Sequence, residues 1–303
     1  MQPVLTVGSV AFDSIKTPAG EVSRVVGGAA TYFSLAASLF TPVRLVAVVG
    51  DDFGPGHLRI FDGRPIDLSG LQRVAGETFR WRGEYHHDLN QRDTIYTELN
   101  VFDAFRPRIP AAFRDSPIVF LANIHPALQL EVLDQVASPR LVALDTMNYW
   151  IEGTPDALRR VLARVHVLII NDEEARQLSG ERNLVAAARA IRALGPRRVV
   201  IKRGEHGVLM TSGERFFAAP AMPLEVVCDP TGAGDTFAGG FIGYLASAPQ
   251  MTDAVLAQAV VAGSTMASFA VQEFGVDRLL RLDKAAVAAR FGEFRQLTQF
   301  EPL

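Results

Sequence analysis

The chain has 303 residues, 49% of them hydrophobic, and sets 30 basic against 33 acidic side chains for a net charge of −3. That length suits one large α/β domain or two smaller ones, and a near-neutral balance without a basic stripe excludes a nucleic-acid footprint. The single cysteine, Cys228, excludes an internal disulfide and suits a reducing cytoplasm, while the absence of a signal-like start and of any apolar run near the ~20 residues that span a bilayer leaves a membrane out of the expected partners.

Residues 4–10 read as a buried strand ending in a turn over 8–13, residues 28–40 as a helix packed with Ala, Leu and Phe, and residues 43–49 as a second buried strand. Residues 72–103 then break the pattern. Their runs 77–85 and 94–99 alternate and are rich in aromatic and β-branched side chains, which predicts antiparallel strands of a small sheet outside the main one. From residue 118 strands and helices alternate. Strands are expected at 118–122, 140–145, 165–170 and 198–202, and helices near 127–137, 155–164, 172–179 and 183–194. This rhythm implies a mostly parallel sheet with helices on both faces. Strands at 207–211, 215–219 and 224–228 and helices at 235–247, 252–270 and 283–298 complete the chain. With no repeat, low-complexity tract or linker, residues 1–303 read as one domain.

The segment Asp229-Pro230-Thr231-Gly232-Ala233-Gly234-Asp235, running into Thr236-Phe237-Ala238-Gly239-Gly240, carries the most chemistry. Glycines ahead of an apolar helix let backbone amides converge at the positive end of a helix dipole, an arrangement that binds phosphate. A carboxylate inside such a site suits a general base for an attacking hydroxyl; helix capping by Asp235 is the plainer alternative. Asn171-Asp172-Glu173-Glu174 follows an expected strand, and its Asn-x-x-Glu spacing equally describes a capping box. No GxxxxGK[ST] segment occurs, so the ordinary P-loop is excluded. The first strand lacks G-x-G-x-x-G, which disfavours a dinucleotide oxidoreductase. The six histidines form no metal-ligand spacing.

The 229–235 signature and the segment Gly27-Gly28-Ala29-Ala30-Thr31-Tyr32 resemble, in order and separation, the two motifs of the ribokinase-like (PfkB) carbohydrate and nucleoside kinase family. The resemblance extends over nearly the whole chain. It implies a three-layer α/β/α fold with a mostly parallel central sheet and a small β lid, built from about 14–25 and 72–103. It implies transfer of a phosphoryl group from ATP to a hydroxyl, most simply a primary alcohol, of a small sugar, polyol or nucleoside. In that role Asp235 is the base, and the amides of Gly232, Ala233 and Gly234 form the anion hole. Asp13, Gly27, Gly28 and Tyr32 border the substrate; many sugar kinases of the family carry Asn where Tyr32 stands, so a typical sugar is not guaranteed. Asn171 and Glu174 arrange Mg2+ through water, and Lys202, Gly204, Gly207 and Thr231 border the nucleotide. Asp229 and Thr231 fit a monovalent cation such as K+. Asp145, Asn148 and Trp150 are placed near the same cleft, and the lid strands suggest a homodimer. A nucleoside kinase and a non-catalytic sugar or nucleotide sensor stay open beside the sugar kinase.

Overall fold

The computed structural model describes residues 1–299. Its main sheet has nine strands: β1 (Val4–Val7), β4 (Val43–Val49), β5 (Ile66–Arg73), β8 (Ile118–Leu121), β9 (Leu141–Asp145), β10 (Val167–Asn171), β11 (Arg198–Lys202), β12 (Val208–Ser212) and β13 (Arg215–Ala219). The spatial order is β13-β12-β11-β10-β9-β8-β1-β4-β5. All pairings are parallel except β11–β12 and β12–β13. The chain begins in the middle, runs outward through β4 and β5, then crosses back to β8 and proceeds the other way. The order therefore reverses between β1 and β8, and the crevice at such a reversal, past the carboxyl ends of the strands, is where open α/β sheets bind ligands.

A second sheet of four strands stands apart, in the order β3-β2-β6-β7: β2 (Ala11–Thr17), β3 (Gly20–Gly27), β6 (Arg80–Tyr85) and β7 (Arg92–Glu98). The strands β2 and β3, and likewise β6 and β7, are antiparallel, whereas β2 and β6 run parallel. The outer side of this lid is laced with exposed ion pairs, Lys16–Glu84 at 2.5 Å and Arg82–Glu21 at 2.9 Å among them.

Helices α1 (Ala29–Ala37), α2 (Pro55–Leu58), α3 (Pro126–Gln135), α4 (Asn148–Gly153), α5 (Pro155–Leu162), α6 (Asp172–Ser179), α7 (Leu184–Arg192), α8 (Ala233–Ser247), α9 (Asp253–Ala270), α10 (Asp277–Leu280) and α11 (Lys284–Thr298) complete the fold. Because strand side chains alternate between faces, β8 divides cleanly. Ile118 and Phe120 meet Phe33, Phe237 and Phe241 of α1 and α8, whereas Val119 and Leu121 face Leu130, Leu158 and Val161 of α3 and α5. Phe33 and Phe120 stack with ring centroids 4.1 Å apart. Two cores on opposite faces of one sheet make three layers. Helix α9 is long and apolar enough to cross a membrane by length and composition, but most of it is buried inside the fold.

Four expectations change. No strand forms at 224–228. Val226 is exposed, and the Cys228 and Asp229 N–H groups donate to the Val271 carbonyl rather than to a neighbouring strand. The first strand stops at Val7, and Asp13 lies in strand β2 rather than in a turn, because Ala11–Thr17 pairs with β3 and β6. The small sheet as a whole is mixed, since those two hairpins join through a parallel pair. Strand β5 was not anticipated: its charged and glycine residues hide a strand that lies at the sheet edge, with one flank unpaired.

Candidate active site

The carboxyl ends of β9, β10 and β11 end in Asp145, Asn171 and Lys202, and parallel register brings these residues to one rim of the sheet. Facing them is the start of α8. Gly232 is its N-cap in the left-handed conformation, φ +71°. A Cβ there would overlap the Tyr32 ring, so glycine allows both the turn and the close approach. The Ala233 N–H donates to the Pro230 carbonyl at 3.2 Å and the Asp235 N–H is turned onto its own carboxylate, whereas the N–H groups of Gly232 and Gly234 have no acceptor among the described residues. Asp235 sits in the first turn of α8 rather than at the cap position.

Asp229 shapes this loop. It is fully buried, and its carboxylate accepts the Thr231 N–H at 2.8 Å and the Gly275 N–H at 2.9 Å. Burial pushes its carboxyl up, partly offset by those two bonds. The Thr231 hydroxyl donates to the Tyr85 hydroxyl of the lid at 3.1 Å.

On the other wall, Gly27 ends β3 and Gly28 opens α1. A Cβ on Gly27 would overlap the Asp13 carboxylate, and Gly28 at φ +93° brings its backbone against Ser9 and Ala11. The Asp13 carboxyl accepts the Gly28 N–H; burial, with Asp229 and Asp235 nearby, nevertheless raises its pKa to about 7. Tyr32 is buried at 1% exposure, wedged under Gly232, and its hydroxyl has no partner among the described residues.

Asp235 also titrates at about 7: burial and Asp145 raise it, while Lys202 and Arg92 restrain the rise. Glu174 reaches about 7, again chiefly through burial, against the pull of Lys202. Both halves of the capping box form. Glu174 N–H donates to Asn171 Oδ1, and Asn171 N–H to Glu174 Oε2, each at 2.8 Å. These bonds fix Glu174 over the rim. No group of three or more His, Cys, Asp or Glu residues among those described is arranged as a metal cage. A raised folded pKa means the native state holds protons that the unfolded chain has already released, so stability declines as pH rises from about 4 to about 7. The ligand-free protein should therefore melt lower at pH 8 than at pH 5.5, measured by calorimetry; a melting point rising across that interval would contradict the assignment of Asp13 and Asp235 as withdrawn from water.

The lid contributes residues that sequence patterns did not single out. Tyr85 and Arg92 are paired across β6 and β7, and Arg92 acts on Asp235, Lys202 and Glu174. Asn90, in the lid turn, lies against Gly204, where any Cβ would overlap its side-chain oxygen. Gly207, at φ +81°, packs against the Ala219 carbonyl. Asn148 is exposed and engaged only locally, with its Oδ1 accepting the Tyr149 N–H, and Trp150 donates to Asn123 Oδ1. Neither shares a recorded contact with Asp235. His86 pairs with Asp93 at 3.0 Å on the lid.

The pfkB family carbohydrate kinase profile matches residues 1–281. The chain belongs to the PfkB family. It is 32% identical to the cytidine kinase of Thermococcus kodakarensis over 256 residues, 82% of this chain and 91% of that protein. The fold superposes on the nucleoside kinase of Methanocaldococcus jannaschii, an archaeal member of the ribokinase family, with a TM-score of 0.77 at 20% identity, covering 97% of this chain and 99% of that one. It superposes on Arabidopsis thaliana ribokinase, solved with ribose and ATP, with a TM-score of 0.76 at 20% identity over 96% and 98% of the two chains. This PfkB protein is thus a kinase that uses ATP to phosphorylate a small sugar or nucleoside, and its ribokinase-like fold is the one its motifs led us to expect.

Proposed function

We propose that the acceptor is the primary alcohol of a nucleoside, with Asp235 as general base. The observation that carries the base assignment is the pairing, at one helix start, of a carboxyl raised to about 7 with free N–H groups at Gly232 and Gly234. A base with a pKa near the working pH is effective, and fixed donors stabilise charge growing on a transferring phosphoryl group without reorganising. Asp13, held against Gly27 and Gly28, receives sugar hydroxyls. Asn171, Glu174, Lys202, Gly204, Gly207 and Thr231 border the nucleotide.

The nucleoside is favoured over a free sugar by the lid and by the cytidine kinase relative. Trp81 is paired with Asp13 in β6 and β2, hence on the same lid face, and its indole lies flat across Gly83. A base attached to a ribose at Asp13 would find that aromatic surface one strand away. Closing the lid excludes water as a competing acceptor, with Tyr85 fastened to Thr231.

The residues fit magnesium held through water: Glu174 is a half-buried carboxylate fixed by its box, and its rim carries more carboxylates than cations. Bound magnesium neutralises phosphate charge; Asn171 and Glu174 would order its waters. Asp229 and Thr231 would border a monovalent cation, which activity in K+ against choline tests. A reducing cytoplasm and a dimer joined through edge strand β7, exposed along its whole length, complete the proposal; sedimentation tests the latter.

The deciding experiment measures ADP release with cytidine, adenosine, inosine, ribose and fructose. Phosphorylation of nucleosides well above sugars is expected. Preference for a free sugar would overturn the acceptor assignment, and ligand binding without ADP release across the panel would establish a sensor.

A further inference from the structure

A buried Asp145 and a partly exposed Lys202 form a pair at the rim. Lys202 Nζ stands 3.9 Å from Asp145 Oδ1, with side-chain exposures of 18% and 9%. That distance is an ion pair but not a hydrogen bond. Asp145 Oδ1 already accepts the Thr146 N–H at 2.9 Å. The ammonium makes no hydrogen bond to any acceptor among the described residues, although it carries three donors. Burial lowers its pKa, but Asp145, Glu174 and Asp235 outweigh that and keep it charged. Its end keeps some contact with solvent, so the unused donors are open to an incoming anion.

The direction it takes is recorded at Gly234. A Cβ built there would lie 2.8 Å from Nζ. The ammonium therefore occupies the space a side chain at 234 would fill, beside the free N–H group of Gly234.

We propose that Lys202 is a catalytic cation of the phosphoryl cradle, supplying the transferring group with a charged donor beside the amides of α8, and that Asp145 is the positioning residue that holds it there. This rests on the kinase assignment above and adds two roles to it. The pair accounts for the contact at Gly234, where a methyl group would meet the ammonium and displace the end of its flexible chain. It also explains a buried aspartate that neither accepts the substrate proton nor caps a helix. Lys202 would bind the terminal phosphoryl oxygens in the ground state and more strongly as charge accumulates on them during transfer. Asp235 takes the proton from the acceptor hydroxyl, the acceptor oxygen bonds to phosphorus, and the bond from phosphorus to the bridging oxygen breaks, leaving ADP.

The test compares Lys202→Met, Lys202→Arg and Asp145→Asn with the intact protein. Titration calorimetry with the Mg2+ complex of AMP-PNP and with AMP isolates the terminal phosphates; kcat and KM follow from ADP release. Lys202→Met should bind AMP within about 3-fold of the parent, lose at least about 10-fold in affinity for AMP-PNP, and lose about 100-fold or more in kcat, the usual effect of deleting one donor from such a cradle. Asp145→Asn should lower kcat while leaving the KM of the acceptor within about 3-fold, and Lys202→Arg should restore AMP-PNP affinity in part. Equal loss of AMP and AMP-PNP affinity would place Lys202 at the nucleoside end and overturn the proposal, as would a folded Lys202→Met variant with kcat within about 3-fold of the parent. A parent protein that turns over none of the acceptors, yet prefers AMP-PNP to AMP by a margin that Lys202→Met abolishes, would sink the acceptor assignment and leave Lys202 where we put it.

Discussion

Asp235→Asn should reduce kcat by about 100-fold to 10,000-fold, the range a positioned general base contributes. The amide keeps the shape of the carboxyl and loses only its basicity. Because burial and Asp145 hold the Asp235 carboxyl up to about 7, the parent enzyme should gain activity as pH rises through neutrality, when the base is freed of its proton. The variant should lack that limb. The same raised pKa has a second consequence. Asn resembles the protonated acid, so above pH 7 the variant escapes the cost of a buried charge and should melt higher than the parent, with the difference shrinking toward pH 5.5. Steady-state rates and calorimetry at both pH values check the two halves separately. A variant within a few-fold of parental kcat would remove Asp235 from the chemistry; unchanged melting at pH 8 would remove the claim that its charge is costly.

Gly232→Val should damage both stability and turnover. At φ +71° a β-branched residue is strained by about 1–3 kcal/mol, and the new Cβ would overlap the Tyr32 ring, with overpacking adding about 1–3 kcal/mol. For a domain of this size the sum corresponds to a drop of at least about 5 °C in Tm. Turnover should fall as well, because the Gly232 amide belongs to the anion hole and the turn that aims the Gly234 amide begins at this residue. Adding Tyr32→Ala removes the ring and should recover part of the melting point, while the backbone strain and the lost activity persist. A single variant that melts like the parent would show that the loop does not press on Tyr32. A double variant with no recovery would assign the whole cost to the backbone.

The small-residue run from Asp229 to Gly240 announced itself because its chemistry is local. A left-handed glycine and a first-turn aspartate are both dictated by residues adjacent in the chain. Gly239 of α8 has a different cause: a Cβ there would overlap the Phe33 carbonyl of α1, a contact between helices far apart in the chain. The alternation in 77–85 betrayed β6. Asn171 and Glu174 were visible as a pair, and the structure forms their capping box; what they do for a metal is a separate matter of chemistry.

Other features had no local signature. Tyr85 and Arg92, which reach Thr231 and Asp235, and Asn90, which reaches Gly204, lie far from those partners in sequence and meet them only because the lid folds across. Asp145 reads from the sequence as a strand end near the cleft, but nothing local signals its partnership with Lys202, which it meets across β10. Local residue order thus determined which backbone turns were possible and which helix would present free amides. The pKa values of Asp13 and Asp235, the company Lys202 keeps and the face Trp81 covers were decided by tertiary structure alone. Desolvation and Coulomb interactions depend on distance through space, and parallel crossovers bring together residues that the chain keeps dozens of positions apart.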